Sequence, residues 1–276
     1  MPIPESTDPA AFKAFEHERW QTAARVYHDE LGRLTSQAAN PLLDAAGVSA
    51  GVRHLDLASG PGYVAGLSAA RGAQVTGADF SEEMVELARS LHPGVEFYEA
   101  DAEALTFEDA SFDAVTMAFL LGHLARPAAA VREAHRVLRP GGRLALAWWQ
   151  PPDRAVAFGI MTESIRAKGR TDVGLPPAPP LEMFGDPEML RALLNENGFA
   201  ETHIRDIDMT WRVDSVDAMF DAYLRGTARM GGLLLGQTPE ALAAIREEVR
   251  RRCEPWKSAD GLHLPMPARI ASSTRS

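Results

Sequence analysis

The chain has 276 residues, 46% of them hydrophobic and 24% charged, with a formal net charge of −10. That composition excludes wholesale disorder and allows one large α/β domain, or one domain with a cap. The negative balance, with no local Lys/Arg run, excludes a phosphate-backbone partner, so no nucleic acid is expected; Cys253 is the only cysteine, which excludes an intramolecular disulfide and a thiolate zinc cluster, and no metal is expected.

The opening MPIPESTDPA is acidic and proline-rich, and no run approaches ~18 consecutive apolar residues, so neither a leader nor a membrane span is expected and a cytoplasmic setting fits. Residues 1–10 suggest a loose tail. Phe12, Phe15, Trp20, Ala24, Tyr27, Leu31 and Leu34 then recur at helical spacing, with a break near Gly32. A short helix from Asn40 closes at Gly47.

Val52, Leu55 and Leu57 form a short apolar run suited to a buried parallel strand, with Asp56 near its end. Ala58-Ser59-Gly60-Pro61-Gly62 is a tight turn, and Tyr63 to Ala70 opens a helix. Such a unit points backbone N–H groups at a ligand with no Cβ in the way. Gly60, Gly62 and Gly66 give G-x-G-x-x-x-G, not the dinucleotide spacing G-x-G-x-x-G. A carboxylate at this strand tip repels a pyrophosphate and favours a cation. S-adenosylmethionine, with an ammonium, a sulfonium and no phosphate, meets that condition.

On these residues the stretch D-L-A-S-G-P-G, Asp56 to Gly62, resembles the first motif of class I S-adenosylmethionine-dependent methyltransferases, in the small-molecule branch of ubiquinone/menaquinone-type (type 11) enzymes. Ala58 stands where a glycine is commoner. The resemblance implies that Asp56, Ala58, Gly60 and Gly62 border the cofactor, and that the segment before them is a helical lid. Tyr27, Thr35 and Gln37 are then the lid's polar residues expected at the methionine end.

The next strand, Gln74 to Phe80, carries Asp79 at its tip, where a carboxylate can accept two ribose hydroxyls; Ser81 caps the following helix. Phe80 and Met84 are expected to flank the adenine. Val95 to Ala102 makes a third strand ending in an acid. The resemblance assigns Asp101 to the adenine amino group and the Ala102 N–H to a ring nitrogen. Phe112 to Phe119 is a fourth strand, leading through Ala118 to His123 at the same sheet edge. A helix from Ala128 to Leu138, the turn Arg139-Pro140-Gly141-Gly142 and a fifth strand from Arg143 to Trp149 follow. R-V-L-R-P-G-G-R-L also matches the family, as a turn-and-pack device.

Beyond Gln150 the βα rhythm breaks. Helices are expected around Arg154 to Ala167, from Pro187 to a stop at Asn197-Gly198, and as a pair filling Val216 to Arg252. Phe199 to Val213 contains a sixth strand, and His263 to Ala271 is expected as a last, antiparallel one. The fold expected is α/β: a Rossmann-like, doubly wound, mostly parallel seven-stranded sheet with an antiparallel last strand, an N-terminal lid and an inserted helical cap. The divisions are a lid (1–47), a cofactor-binding core (48–150), a cap insertion (151–185), a core continuation (186–213), a helical cap (214–258) and the last core strand with its tail (259–276).

The expected activity is methyl transfer to a small biosynthetic metabolite by in-line displacement, with S-adenosyl-L-methionine as cofactor and S-adenosyl-L-homocysteine as product. His123, just beyond the fourth strand, is the candidate base; His28, Asp29 and His263 are weaker ones. Trp148, Trp149, Phe158, Met161, Phe184, Met219, Phe220, Met230 and Trp256 suit an apolar or aromatic acceptor, with Gly232 to Gly236 at the mouth. A homodimer is left open. Two other readings stand beside this one: an NAD(P)-dependent oxidoreductase, disfavoured by Asp56 and the shifted third glycine, and a non-catalytic adenosyl-ligand-binding protein.

Overall fold

A computed structural model describes residues 5–276. The first four positions of the expected tail lie outside the described residues. Ser6 is buried, with its N–H on Ala125 O (2.9 Å) and its hydroxyl on Pro177 O (2.7 Å), so the end of that segment is tied down, not loose. Helix α1 (Pro9–Val26) is capped by Asp8 and carries proline in its first turn. A π-turn (Tyr27–Leu31), α2 (Gly32–Thr35) and a 3₁₀ turn lead to α3 (Ala39–Ala46), so the break expected at Gly32 is a change of helical pitch. Gly47 ends α3 at φ +72°.

The core follows as β1 (Arg53–Leu57), α4 (Tyr63–Ala70), β2 (Gln74–Asp79), α5 (Glu82–Leu91), β3 (Glu96–Glu99), β4 (Phe112–Ala118), α6 (Pro127–Val137) and β5 (Leu138–Trp149). After it come α7 (Val156–Lys168), α8 (Pro187–Glu196), β6 (Phe199–Ile207), β7 (Thr210–Val213), α9 (Val216–Gly226), α10 (Arg229–Leu235), α11 (Pro239–Cys253), β8 (Lys257–Ser258), β9 (Gly261–Pro265) and β10 (Ala268–Arg275). The main sheet has seven strands in the order β3-β2-β1-β4-β5-β10-β6, parallel except for β10, which pairs antiparallel with both neighbours. The expected α/β architecture is therefore present.

Alternation along the strands builds the two faces. Ala114, Ala145, Ala147 and Ile270 pack with α3 through Leu42 and Leu43, and these small side chains let the helix lie close. Val115, Met117, Leu144 and Leu146 face the other way, into the core shared with α6 and α8.

Several strand boundaries differ from the sequence reading. β3 stops at Glu99, and β5 begins at Leu138, so the expected turn 139–142 lies within that strand as a register shift against β4. The segment 199–213 divides into β6 in the main sheet and β7 in a separate three-stranded sheet, β7-β9-β8. The expected last strand, His263 to Ala271, is likewise two strands: β9 belongs to the small sheet and β10 to the large one. Pro265 and Pro267 remove two ladder donors around Met266, and the chain changes sheet there. Three helices, not two, occupy residues 216–253, because Thr227-Ala228 separates α9 from α10 and Thr238-Pro239 starts α11 afresh. Among the described residues no helix is long and apolar enough to cross a membrane.

Phe97 of β3 joins the second and third strands to the glycine turn. A Cβ on Gly77 would lie 2.3 Å from the Phe97 ring, and one on Gly62 2.8 Å from its tip, so this ring fills the room both glycines leave. Phe97 is 2% exposed. Phe97→Ala is expected to lower unfolding free energy by about 3–5 kcal/mol in urea titration; a loss near zero would show that the ring does not fasten the turn.

Candidate functional site

The turn after β1 is locked by two acids. Asp79, at the tip of β2, accepts from Gly60 N at 2.9 Å and from Ser81 N at 3.0 Å, one on each carboxylate oxygen. Asp56 accepts from Ala65 N at 3.1 Å and from the Thr116 hydroxyl at 2.7 Å. Thr116 also meets His54 Nε2 at 2.8 Å, and His54 Nδ1 meets Ser68 Oγ at 2.8 Å. Because the Thr116 proton goes to Asp56, the proton on His54 resides at Nε2 and Ser68 donates to Nδ1. Burial keeps His54 neutral, with its pKa pushed down to about 3.

Burial acts oppositely on the acids. Asp56 is raised to about 7, against the lowering effect of its bonds to Thr116 and Ala65; Asp79 is raised by burial too, with the bonds from Ser81 and Gly60 opposing.

A cavity of about 450 Å³ opens at this sheet edge. At one end lie Asp56, Ala58, Gly60, Asp79, Phe80, Met84, Asp101 and Ala102. Tyr27 of the π-turn, Thr35 of α2 and Ala118 of β4 complete that end, and the structure brings all of them together. Gly62 stands behind the lining, as the αL residue that starts α4 (φ +83°). Among the described residues nothing lies within 4 Å of a Cβ built on Gly60, and Ser59 Oγ is buried without a partner, so the turn presents both open space and an unused polar atom. The Ala102 N–H has no partner among the described residues. Tyr27 Oη donates to Thr35 Oγ1 at 3.0 Å, and burial pushes the phenol up to about 12.

Two residue placements and one strand bound need correction. Gln37 does not reach this cavity: its amide clamps Thr210 from both sides, Nε2 to Thr210 O at 2.9 Å and Thr210 N to Oε1 at 3.1 Å. Asp101 lies beyond β3, which ends at Glu99, and is met by Lys13 Nζ at 2.5 Å, so this acid is already paired with a cation from α1. His28 stacks on Tyr63, and His263 lies beside Asp260; neither they nor Asp29 line the cavity.

At the other end Phe119, Trp148, Trp149, Phe158, Leu181 and Met230 make an apolar chamber. Phe119 sits at φ +56° and stacks on Trp149 with ring centroids 4.1 Å apart. Of the aromatic and methionine residues expected here, Met161, Phe184, Met219 and Phe220 belong to the core instead, and Trp256 packs against its outside. Leu233 of the Gly232–Gly236 stretch does line the chamber.

His123 stands between the two ends. Its Nδ1 is 2.9 Å from Glu16 Oε2, and Trp20 and Trp148 hold the ring edge-on at 5.1 and 5.9 Å. Lys13, Glu16, Trp20, Ser59, Tyr63 and Arg229 all belong to the cavity or its wall, and the sequence reading missed their roles. Lys13, Glu16 and Trp20 share one face of α1 at i, i+3 and i+7, a stripe legible as amphipathic though not as functional.

The family described as "Methyltransferase domain" matches residues 55–146. The demethylmenaquinone methyltransferase of Thermus thermophilus is 37% identical over 196 residues, covering 63% of this chain and 88% of that protein. The enzyme of the same name from Clavibacter sepedonicus is 42% identical over 140 residues, 49% of this chain and 54% of the relative. Apart from the Thermus protein, the first of these curated relatives are matched over about half of their length. Solved structures similar in fold include the [4+2]-cyclase SpnF, with TM-score 0.60, 19% identity, and coverage of 99% of this chain and 98% of that one. Another is Haemonchus contortus phosphoethanolamine N-methyltransferase 2 bound to S-adenosylhomocysteine, with TM-score 0.58, 17% identity, and coverage of 96% and 60%.

Two outcomes follow from the geometry. Ala58 is held at φ +53°, where an L side chain is strained, so Ala58→Gly is expected to raise stability by about 1 kcal/mol in urea unfolding; a loss would place the strain elsewhere. Asp56 has a folded pKa near 7 against 3.8 for the free side chain, so the folded state retains a proton over that interval that the unfolded chain has released. Its contribution to stability is full below the lower value and lost as pH rises through the upper one. Asp56→Asn is expected to flatten the fall in unfolding free energy between about pH 4 and pH 7; an unchanged slope would mean that Asp56 titrates normally.

Proposed function

We propose that this chain, which belongs to the family of S-adenosylmethionine-dependent methyltransferases that includes the demethylmenaquinone methyltransferases, transfers a methyl group from S-adenosylmethionine to a small apolar or aromatic acceptor. One observation carries the reading. A single cavity joins the acidic strand tips to an aromatic chamber, with His123 between them. The acids suit a cationic adenosyl compound, and the chamber suits an acceptor that is mostly apolar.

In this reading Asp79 takes the ribose hydroxyls with the acceptor capacity left after its two backbone bonds. Asp101 and the Ala102 N–H meet the adenine edge, between Phe80 and Met84. Asp56 and the turn from Ala58 to Gly62 lie against the methionine end, with Tyr27 and Thr35 closing from the lid. When bound, the cofactor supplies an electrophilic methyl on a sulfonium. The chain's own part is to orient, to exclude water and to move a proton. The Phe119–Trp149 stack and Trp148 fix the acceptor's plane, α1 shuts out solvent, and His123 takes the acceptor's proton.

One other reading is kept in the test, that of a protein holding the adenosyl compound without passing on its methyl, since a fold does not by itself carry a reaction. Calorimetry is expected to show S-adenosylhomocysteine binding and no NAD binding, and the labelled methyl of S-adenosylmethionine is expected to appear in a product when quinol and phenol acceptors are supplied. Binding with no labelled product from any acceptor would favour the other reading; NAD binding alone would overturn both. His123→Ala is expected to cut turnover by about 10²–10⁴-fold with S-adenosylhomocysteine affinity unchanged, and a normal rate would remove His123 from the reaction.

A further inference from the structure

Glu16 is 0% exposed. A carboxylate that far from water is costly unless it is paired and hydrogen-bonded. Its Oε2 accepts from Trp20 Nε1 at 3.1 Å and faces His123 Nδ1 at 2.9 Å, whereas Oε1 is buried with no hydrogen-bond partner among the described residues. Arg19 and Arg229 are near enough to feel the charge, but among the described residues only His123 comes within ion-pair distance. Arg19 spends its Nη2 on the carbonyls of Leu224 and Thr227, and Arg229 its Nη1 on Pro176 O, so neither is the group this carboxylate was buried to meet.

The order outward from the cavity is imidazole, then carboxylate. His123 lines the cavity and Glu16 does not. The ring has little freedom to turn, because Trp148, which packs on it, is fixed through its Nε1 to Leu181 O at 3.0 Å. His123 Nε2 has no hydrogen-bond partner among the described residues, so with Nδ1 engaged by a carboxylate, which can only accept, the ring keeps its Nε2 lone pair free.

We propose that Glu16 is the positioning residue for His123: it holds the imidazole proton on Nδ1 and keeps Nε2 as the base, so the acceptor taken at this site is one whose reacting group carries a transferable proton, a phenol- or enol-type hydroxyl. This rests on the reading of the cavity as a methyl-acceptor site. In the proton step the acceptor's O–H bond breaks, its electron pair stays on oxygen, and an N–H bond forms at Nε2. The imidazolium keeps its Nδ1–H on Glu16, whose negative charge offsets the charge gained; the added proton passes to water afterwards.

The test needs no acceptor. In the full chain labelled with ¹⁵N-histidine, His123 is assigned by the signal lost in His123→Ala, and its tautomer is read by NMR at a pH where the ring is neutral. The expected result is a proton on Nδ1. Glu16→Gln, whose amide can donate to Nδ1, is expected to lose that preference, and Glu16→Asp to recover part of it. A proton on Nε2 in the unaltered protein, or an unchanged tautomer in Glu16→Gln, would overturn the proposal; should Glu16→Gln not fold, the unaltered protein's tautomer decides. The same samples titrated with S-adenosylhomocysteine are expected to bind it with equal affinity. Absence of binding in the unaltered protein would sink the methyl-transfer reading and leave the tautomer to decide the part played by Glu16.

Discussion

The site depends on one carboxylate spending both its oxygens on backbone N–H groups. Asp79 ties Gly60, in the turn after β1, to Ser81, at the start of α5, and so fixes the spacing of two strand ends that would otherwise be set only by loops. Bonds from N–H groups to an ionised carboxylate are among the stronger ones in proteins, and here they act where water is scarce. The same acid therefore shapes the floor of the cavity and lends it charge. Asp56 does comparable work one strand away, through a buried chain that runs by Thr116 and His54 to Ser68 on α4.

The frame was legible because its signals are local. Each βα unit announces itself by an apolar run, a turn and a capped helix start, and Ser81 and Asp186 do cap where their sequence position implies. Most of the acidic end of the cavity was legible for the same reason: Asp56, Asp79 and Asp101 each sit at or just past a strand end, and parallel strands bring such ends to one edge. What was not legible depends on long-range pairing. Nothing in the stretch Leu262–Ile270 says that the chain leaves one sheet and joins another, although Pro265 and Pro267 mark where a ladder must fail. Nor could α1 show which of its polar residues point inward. Lys13, Glu16 and Trp20 look like ordinary surface residues of an amphipathic helix until the helix is laid across the sheet edge.

That placement alters the electrostatics of the acidic end of the cavity. Three carboxylates along one edge would make a strongly negative cavity, but Lys13 meets Asp101 at 2.5 Å and Glu103 at 3.0 Å, and Glu103 is also held by Arg126 at 3.1 Å. The negative field is thus concentrated on Asp79 and, once it ionises, Asp56, while the outer acid is balanced by α1. The chamber is built on the opposite principle, with few polar groups and stacked rings, so one cavity grades from charged to apolar along its length.

The contacts that hold α1 over the cavity include several that are polar and partly wet: Lys13 on Asp101, Gln21 on Ser81 and on the Glu83 N–H, and Ser6 on Pro177. Contacts of that kind part at little expense compared with a packed core, because water replaces each lost partner. The cavity edge of α1 is thus fastened more lightly than the face that buries Phe12, Ala23 and Ala24.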